Sequence, residues 1–273
     1  MPTLDAATAA TDRTPRVAAH DVERWFGAGD RAVHALGPLD FDIADGEFAC
    51  IVGPSGCGKS TFLRAVAGLI RPSRGEISVQ HNDPSRVPLA MVFQDYGIFP
   101  WKTVGANVRF GMEVSGVSRR DAERRAADWL GRLGLLDFAD HYPAALSGGM
   151  RQRVAIARAL ALEPELLLMD EPFAALDAQR RELLQEELLA IWQADRRTVL
   201  FVTHSLEEAL VLGDRVAVMS ARPGRLLRSV DVPFDRPRTS DLRATPEFGA
   251  LKAELWELLR GEVIGAEPAE AAG

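Results

Sequence analysis

Apolar positions in this chain fall first into short runs and later into helical periods. From Val17 to about Phe93, short apolar runs are separated by turn signals such as Asp45-Gly46, a pattern typical of β-strands. We predict strands in this part of the chain at Leu39–Ile43, Phe48–Val52, Ile77–Val79 and Ala90–Phe93.

Helical spacing takes over after this region. Ser118, with Asp121 three residues later, resembles a capping box, and apolar residues then recur at helical spacing as far as Gly134. A second helix is predicted from near Gly149 to Pro164. Beyond it, the pattern predicts strands at Leu166–Met169, Val199–Val202 and Val216–Met219, and helices over Leu183–Trp192 and from Ser205 to about Leu212.

The order of these elements predicts an α/β fold. Strand-type runs come first, a helical insert follows, and strands then alternate with helices, as expected of a core with a parallel sheet. Residues 1–15 have no apolar period and are predicted to form a flexible tail. From about Val232 the chain holds several prolines and one amphipathic helix, predicted near Pro246–Leu259.

The apolar content, net charge and cysteine count of the chain indicate which kinds of partner and cellular setting to expect. With 47% apolar residues among 273, the chain can bury a substantial core, and its net charge of -7 argues against nucleic-acid binding. The two cysteines, Cys50 and Cys57, do not make a disulfide framework and indicate a reduced, cytosolic setting. We expect no secretory signal and no membrane-spanning helix, so any work at a membrane requires a partner.

A complete phosphate-binding loop follows the predicted strand Phe48–Val52 and opens a helix. Glycines let backbone N–H groups turn around phosphate oxygens, and the helix N-terminus favours an anion. In this pattern Lys59 reaches the β and γ phosphates of a nucleotide, and Ser60 binds Mg²⁺. A chance glycine-rich turn is the alternative, which the strand and helix on either side disfavour. The loop consists of Gly53, Pro54, Ser55, Gly56, Cys57, Gly58, Lys59, Ser60 and Thr61.

Two acids, Asp170 and Glu171, stand just past a predicted buried strand. Ligands collect at the carboxyl ends of parallel strands. We therefore expect Asp170 to hold Mg²⁺ and Glu171 to polarise a water against the γ-phosphate. Pro172 is expected to favour an extended backbone at Glu171. The alternative is a core strand that simply ends in solvated acids.

A second glycine-rich helix start occurs at Ser147, Gly148 and Gly149. It is another helix N-terminus able to receive an anion. Because one nucleotide already has its phosphates in the loop at Lys59, this second receptor suggests a phosphate held by another copy of the chain. The consequence is a two-fold, head-to-tail dimer with two ATP molecules at its seam. A simple helix cap with flexible glycines is the alternative.

The segment Leu146–Gly149 is similar to the signature sequence of ATP-binding cassette (ABC) ATPases, and the order of phosphate loop, signature and acid pair matches that family. The resemblance extends from about Val17 to Arg225, with Met150 where the family often has Gln. It implies a P-loop NTPase with a parallel-sheet core, an N-terminal antiparallel β subdomain and a helical insert. We divide the chain into a tail at 1–15, an ATPase domain at 16–231 with a helical subdomain at about 97–150, and a C-terminal extension at 232–273.

The resemblance also implies roles for residues that patterns alone do not single out. Gln94 looks like the family's glutamine-loop residue, which contacts Mg²⁺ and the attacking water. Asp177 looks like part of the loop that links the two sites across the dimer, and His204 like the switch histidine at the γ-phosphate. Phe26 looks like the aromatic that stacks on adenine, although Trp25 is adjacent and simple core packing of Phe26 stays open.

Two short segments, Pro100-Trp101 and Ser220–Gly224, are similar to the nitrate, sulfonate and taurine importer branch. That branch implies two membrane permease subunits, a separate solute-binding protein, two copies of this ATPase and a place on the cytoplasmic face of the inner membrane. Residues 95–118 would face the permease.

Two other functions are weighed against transport. A cassette ATPase acting on nucleic acid or ribosomes is disfavoured by the single phosphate loop, the absence of sustained heptads and the acidic balance. A regulatory module that has lost catalysis is disfavoured by the intact set of Lys59, Asp170, Glu171 and His204.

Overall fold

The computed structural model describes residues 15–266 with the exception of residue 175. These residues form two β-sheets and a set of helices. The strands are β1 (Val17–Phe26), β2 (Val33–Leu39), β3 (Phe48–Val52), β4 (Arg74–Val79), β5 (Leu89–Val92), β6 (Leu166–Asp170), β7 (Thr198–Thr203), β8 (Arg215–Met219) and β9 (Leu226–Asp231). The α-helices are α1 (Lys59–Val66), α2 (Val104–Val114), α3 (Arg119–Arg132), α4 (Gly148–Ala161), α5 (Ala178–Ala194), α6 (Leu206–Leu212) and α7 (Pro246–Ala266).

The larger sheet has the strand order β5-β6-β7-β3-β8-β9. Its first five strands run parallel, and β9 pairs antiparallel with β8 at the edge. Every residue of β3, β6 and β7 is buried, which explains why these strands are apolar almost throughout. The predicted parallel-sheet core is therefore confirmed, and it brings the carboxyl ends of β3, β6 and β7 to one edge.

The smaller sheet is antiparallel, in the order β2-β1-β4, and confirms the expected N-terminal β subdomain. The predicted strand at Leu39–Ile43 is wrong, because β2 ends at Leu39. Phe41 and Ile43 are buried in the alternating manner of a strand. However, the carboxylates of Asp40 and Asp42 accept backbone N–H groups from the neighbouring strand, so only an isolated bridge forms.

The helical insert consists of α2, α3 and α4. Ser118 accepts a hydrogen bond from the N–H of Asp121 and caps α3, as predicted. Helix α2 was not predicted; its two glycines and irregular apolar spacing hide it, and its cap is Thr103. The fully buried amide of Asn107 bonds to the backbone of Phe99, Lys102 and Thr103, which fixes the loop before α2.

The C-terminal extension packs on α6. Helix α7 runs past the predicted end at Leu259, and Phe248, Leu255 and Leu259 are buried in the core that also contains α6. Arg238 donates to the last carbonyls of α6, and its burial lowers its pKa to about 10. The extension therefore fixes the helix that begins two residues after His204.

The helices and the two cysteines bear on the expected place of the protein in the cell. Over residues 15–266, residue 175 aside, no helix combines the length and apolar character needed to cross a membrane. Cys50 and Cys57 are free, buried thiols, and burial raises the pKa of both. The predicted tail at 1–15 lies almost entirely outside the described residues.

Candidate active site

The phosphate-binding loop connects β3 to α1, as its sequence requires. Gly56 and Gly58 have φ values of +73° and +109°, in the left-handed region that side chains rarely adopt. A Cβ added at Gly58 would also lie 2.5 Å from the carbonyl oxygen of Ala35. The positive φ and the close contact with Ala35 both require glycine at position 58. The resulting turn can point a row of backbone N–H groups at an anion.

Lys59 is the first residue of α1, and its side chain is buried. Its Nζ donates to the carbonyl oxygens of Gly53 and Pro54, each at 2.8 Å. An ammonium group has three N–H donors, and the third lies 3.9 Å from Cys57 Sγ, a weak acceptor that a phosphate oxygen can replace. The positive charge is thereby held at the start of the loop, beside the helix N-terminus.

Ser60 and Asp170 meet between α1 and the end of β6. The Ser60 hydroxyl donates to Asp170 Oδ1 at 2.7 Å, while the buried Oδ2 has no hydrogen-bond partner among the described residues. Burial raises the pKa of the Asp170 carboxyl, which the bond from Ser60 opposes. An orphaned carboxylate oxygen next to a hydroxyl matches the oxygen ligands that Mg²⁺ prefers.

The oxygens of Ser60 and Asp170 are too few to hold a metal ion alone, but they suit Mg²⁺, which takes few protein ligands. Within the described part of the chain, no group of three or more His, Cys, Asp or Glu side chains could hold a metal ion. Mg²⁺ usually takes only one or two carboxylates and completes its shell with water and substrate phosphates. The Ser60–Asp170 pair is consistent with that kind of site.

The buried carboxyl of Asp170 gives a prediction about stability. An acid with a raised folded pKa binds its proton more tightly in the folded state, so ionisation destabilises the fold at higher pH. At pH 7, without nucleotide, Asp170→Asn should raise the free energy of unfolding by about 1 kcal/mol. This advantage should shrink as the pH falls through the raised pKa towards about 3.9.

Denaturant unfolding of the wild type and of Asp170→Asn at several pH values measures this difference in the free energy of unfolding. The same substitution should remove Mg²⁺-dependent ATP hydrolysis. A variant that is less stable than the wild type at pH 7 would show that ionised Asp170 stabilises the fold, contrary to this interpretation.

Glu171 turns sharply at the end of β6. Its φ is +44°, so the expected extended backbone before Pro172 is wrong. The Glu171 N–H donates to the Val202 carbonyl at 2.9 Å, and its own carbonyl accepts the N–H of Ala174 at 3.2 Å. These bonds to strand β7 and to the following turn override the local preference.

The turn brings Glu171 to His204. Glu171 Oε2 lies 3.0 Å from His204 Nδ1. The carboxylate is mostly shielded, at 17% exposure, whereas the His204 side chain is 57% exposed. The two side chains thus meet across the ends of β6 and β7, with the histidine facing outwards.

A cleft of about 500 Å³ joins the phosphate loop to several predicted site residues. Gln94 lies two residues beyond β5, at the same sheet edge as Glu171, and both line this cleft. An elongated ligand could therefore contact the phosphate loop and the acid at once. The lining residues are Phe26, Val33, Ala35, Ser55, Gly56, Gly58, Lys59, Ser60, Thr61, Gln94, Glu171 and Arg222.

The aromatic residue at the cleft is Phe26. Trp25 instead stacks on His34 with ring centroids 3.9 Å apart, because neighbouring residues of a strand point to opposite faces. Phe26 is 40% exposed, and the guanidinium of Arg24 lies 4.7 Å from its ring centroid. Of the two candidates for stacking on a base, the geometry favours Phe26.

The signature residues lie outside this cleft. Ser147 caps α4 by accepting the N–H of Met150 at 3.3 Å, and Asp177 caps α5 by accepting the N–H of Arg180 at 3.0 Å. A Cβ on Gly149 would lie 2.9 Å from a Leu176 methyl, so the starts of α4 and α5 adjoin. Ser147, Gly148, Gly149 and Asp177 line none of the cleft around Lys59.

Three cleft residues were missed by sequence reasoning: Val33, Ala35 and Arg222. The Arg222 guanidinium donates to the Gly56 carbonyl through Nε at 3.2 Å and Nη2 at 3.1 Å. Its position just after β8, at the carboxyl end of a predicted strand, is the one sequence signal that could have pointed to it. Val33 and Ala35 come from the smaller sheet, which no local motif connects to the phosphate loop.

Known proteins share this sequence pattern along most of the chain. A family model described as ABC transporter matches residues 36–174. A putative ATP-binding protein of Brucella abortus is 49% identical over 247 residues, covering 89% of this chain and 92% of its own. The nitrate import ATP-binding protein NrtD of Synechocystis sp. is 45% identical, and the match covers 88% of this chain and 94% of NrtD. The taurine import ATP-binding protein TauB of Rhizobium johnstonii is 47% identical, and the match covers 84% of this chain and 90% of TauB.

Solved structures share the fold. A dimeric post-hydrolysis state of the ATP-binding cassette MJ0796, bound to ADP and Pi, has a TM-score of 0.72 and 32% sequence identity. The match covers 80% of this chain and all of the cassette.

Proposed function

This chain belongs to the ABC transporter family, and on that basis we propose that it is the ATP-hydrolysing subunit of an importer for a small anion such as nitrate, a sulfonate or taurine. The relatives named for nitrate and taurine import support that class of solute. One observation carries the enzymatic part of the proposal: a single cleft contains the phosphate loop with Lys59 and the acid Glu171, which is bonded to His204.

ATP would lie along the cleft, with adenine on Phe26 and its phosphates in the loop from Gly53 to Thr61. The exposed face of Phe26 offers a π-surface for a base. The third N–H donor of Lys59 would exchange its weak contact with Cys57 Sγ, at 3.9 Å, for the terminal phosphates. These contacts fix the γ-phosphate near the edge of the sheet where Glu171 stands.

Ser60 and Asp170, with Gln94, would hold Mg²⁺, which neutralises charge on the β and γ phosphates when bound. The orphaned Oδ2 of Asp170 supports this assignment. Gln94 lines the same cleft as the phosphate loop and Glu171, which supports a second role for its amide in orienting the attacking water.

Glu171 is the proposed general base. Its carboxylate polarises a water and accepts its proton as the water attacks the γ-phosphate, giving ADP and phosphate. With Glu171 ionised, the Nδ1–H of His204 donates to Glu171 Oε2 and so fixes the direction of the carboxylate. Since His204 is the more exposed of the two, it can also contact the γ-phosphate.

The complete site would require two copies of the chain. Ser147, Gly148 and Gly149 lie outside the cleft of their own chain, yet they form an N–H-rich helix start suited to a phosphate. A head-to-tail dimer would place them on the nucleotide of the partner, with Asp177 between the two sites. The dimeric cassette of known structure supports this arrangement.

The remaining partners would be two membrane permease subunits and a solute-binding protein, with this subunit held peripherally on the cytoplasmic face of the membrane. Closure of the dimer on ATP and its release after hydrolysis would drive alternating access in the permease. The loop fixed by Asn107 carries Trp101, which is 71% exposed. Its exposed indole supports residues 95–118 as the face towards the permease.

Uptake of isotopically labelled nitrate, taurine and an alkanesulfonate by cells with and without this gene tests the transport proposal. Deletion should reduce uptake of one of them severalfold, and the wild-type gene, but not Glu171→Gln, should restore it. Equal uptake of all three in both strains would contradict the proposed solute class.

A further inference from the structure

The turn between β8 and β9, residues 220–225, has a fixed shape. The buried Ser220 hydroxyl oxygen accepts the N–H of Arg225 at 2.9 Å, and it lies within hydrogen-bond distance of the Ala221 and Pro223 carbonyls. One side chain thus closes the turn on itself. Side chains on this turn therefore start from a fixed backbone position.

The turn at residues 220–225 packs on the phosphate-binding loop. Arg222 Nε and Nη2 both donate to the Gly56 carbonyl, and Arg222 lines the nucleotide cleft. At Gly224 an added Cβ would lie 2.0 Å from the Cys57 carbonyl oxygen. The turn therefore touches two successive peptide groups of the loop, one by a charged fork and one by backbone packing.

The same turn is bonded to β2. Gly37 N–H donates to the Gly224 carbonyl at 2.8 Å, and Gly224 N–H donates to the Ala35 carbonyl at 3.4 Å. Ala35 is itself a cleft residue, and its carbonyl is the atom that forbids a side chain at Gly58. The turn consequently joins the two walls of the cleft, the phosphate loop and the smaller sheet.

The C-terminal helix holds the turn from the other side. Glu262, near the end of α7, accepts the N–H of Ala221 at 2.9 Å through Oε2. Ala221 is next to Arg222 in the chain. A continuous line of contacts thus runs from α7 through Glu262, Ala221 and Arg222 to Gly56.

Gly56 benefits from an external support because glycine can adopt many backbone conformations, of which the loop uses the one with φ +73°. A peptide group is planar, so holding the Gly56 carbonyl fixes the whole plane between Gly56 and Cys57. Arg222 is always charged and presents its donors as a rigid fork, so it can hold one carbonyl through two N–H groups. Fixing this plane preserves the loop geometry that receives phosphate.

We propose that Arg222 is a positioning residue for the phosphate-binding loop and that Glu262 of the C-terminal helix holds the turn that carries it. This rests on the proposed function, because it assumes that the loop binds the phosphates of ATP. It gives the C-terminal extension, through Glu262, a part in the nucleotide site.

Arg222→Ala, Arg222→Lys and a matched control test the first part. The control is Arg228→Ala, which breaks the Arg228–Glu254 ion pair between β9 and α7 without touching the turn. In the full-length chain, Arg222→Ala should weaken Mg²⁺-ATP binding and raise KM about tenfold, with kcat changed less than about twofold. Arg222→Lys should be intermediate, since lysine lacks the fork, and the control should match the wild type.

Glu262 is tested by rescue and by a double-mutant cycle. Glu262→Ala should weaken Mg²⁺-ATP binding about threefold, whereas Glu262→Gln, which keeps an acceptor oxygen, should bind as the wild type does. The double variant Arg222→Ala with Glu262→Ala should bind no more weakly than Arg222→Ala alone. Fully additive losses would overturn the link through Glu262.

The outcomes separate this inference from the proposed function. If the wild type binds Mg²⁺-ATP in a manner that depends on Lys59 but Arg222→Ala has unchanged affinity and KM, only the role of Arg222 is overturned. If the wild type binds no nucleotide, the proposed function fails and this inference with it. Should Arg222→Ala fold poorly by its melting temperature, Arg222→Lys and the Glu262 variants decide, because each retains hydrogen-bonding capacity or lies away from the loop.

Discussion

Glu171→Gln is expected to reduce ATP turnover about a thousandfold while ATP stays bound. Glutamine keeps the size of the side chain and can still face His204, but it cannot accept a proton from the attacking water. Phosphate release measured at saturating Mg²⁺-ATP, together with nucleotide retention on a desalting column, reports both effects.

A matched control for this loss is Glu76→Gln, an exposed acid on β4 in the other sheet. It should hydrolyse ATP at the wild-type rate. Normal hydrolysis by Glu171→Gln would remove Glu171 as the general base and leave the contact with His204 as a structural one.

Lys59→Ala should weaken Mg²⁺-ATP affinity about a hundredfold, because it deletes the buried cation at the start of the loop. A hydrogen bond to a charged group contributes about 1.5–3 kcal/mol, and 2.7 kcal/mol corresponds to about a hundredfold in the dissociation constant. Titration with a fluorescent ATP analogue measures this change.

Two comparisons make the Lys59 result specific. Lys252→Ala removes a lysine of α7 that pairs with Glu207 of α6, and this variant should bind ATP as the wild type does. The melting temperature of Lys59→Ala without nucleotide should fall by a few degrees, because two hydrogen bonds to loop carbonyls are lost, while the variant stays folded. Unchanged nucleotide affinity in Lys59→Ala would exclude the loop as the phosphate receptor.

The central sheet could be predicted from sequence because burial on both faces leaves an unmistakable pattern. β3 and β6 read as continuous apolar runs, and the motifs at their carboxyl ends, around Lys59 and Asp170, follow directly in the chain. Parallel pairing then brings them together with His204 at the end of β7. Each step needs only local signals and one general rule of sheet topology.

What could not be predicted depends on contacts between distant segments. The φ of Glu171 is set by a bond to Val202, against the local preference imposed by Pro172. Strand β9 is mostly exposed, so it lacks an apolar run. Arg222 reaches Gly56 across 166 positions of the chain, and its place just after a predicted strand does not by itself reveal that contact.

The division of the site into two surfaces has a mechanistic consequence. Lys59 and Glu171 lie in one cleft, while Ser147 caps a helix elsewhere. If each nucleotide is completed by the partner's Ser147, ATP itself becomes part of the dimer interface, and hydrolysis removes the phosphate that joins the two chains. Such a site couples chemistry to opening and closing, as a transporter requires.

The mass of Glu171→Gln in solution with Mg²⁺-ATP tests this shared site most directly. A chain of 29.8 kDa should sediment as a dimer when ATP is bound and as a monomer without nucleotide. Adding Ser147→Asp should restore the monomer, because aspartate still caps the helix but repels phosphate. A monomer at every concentration of Mg²⁺-ATP, or a dimer indifferent to Ser147→Asp, would contradict a nucleotide shared between two chains.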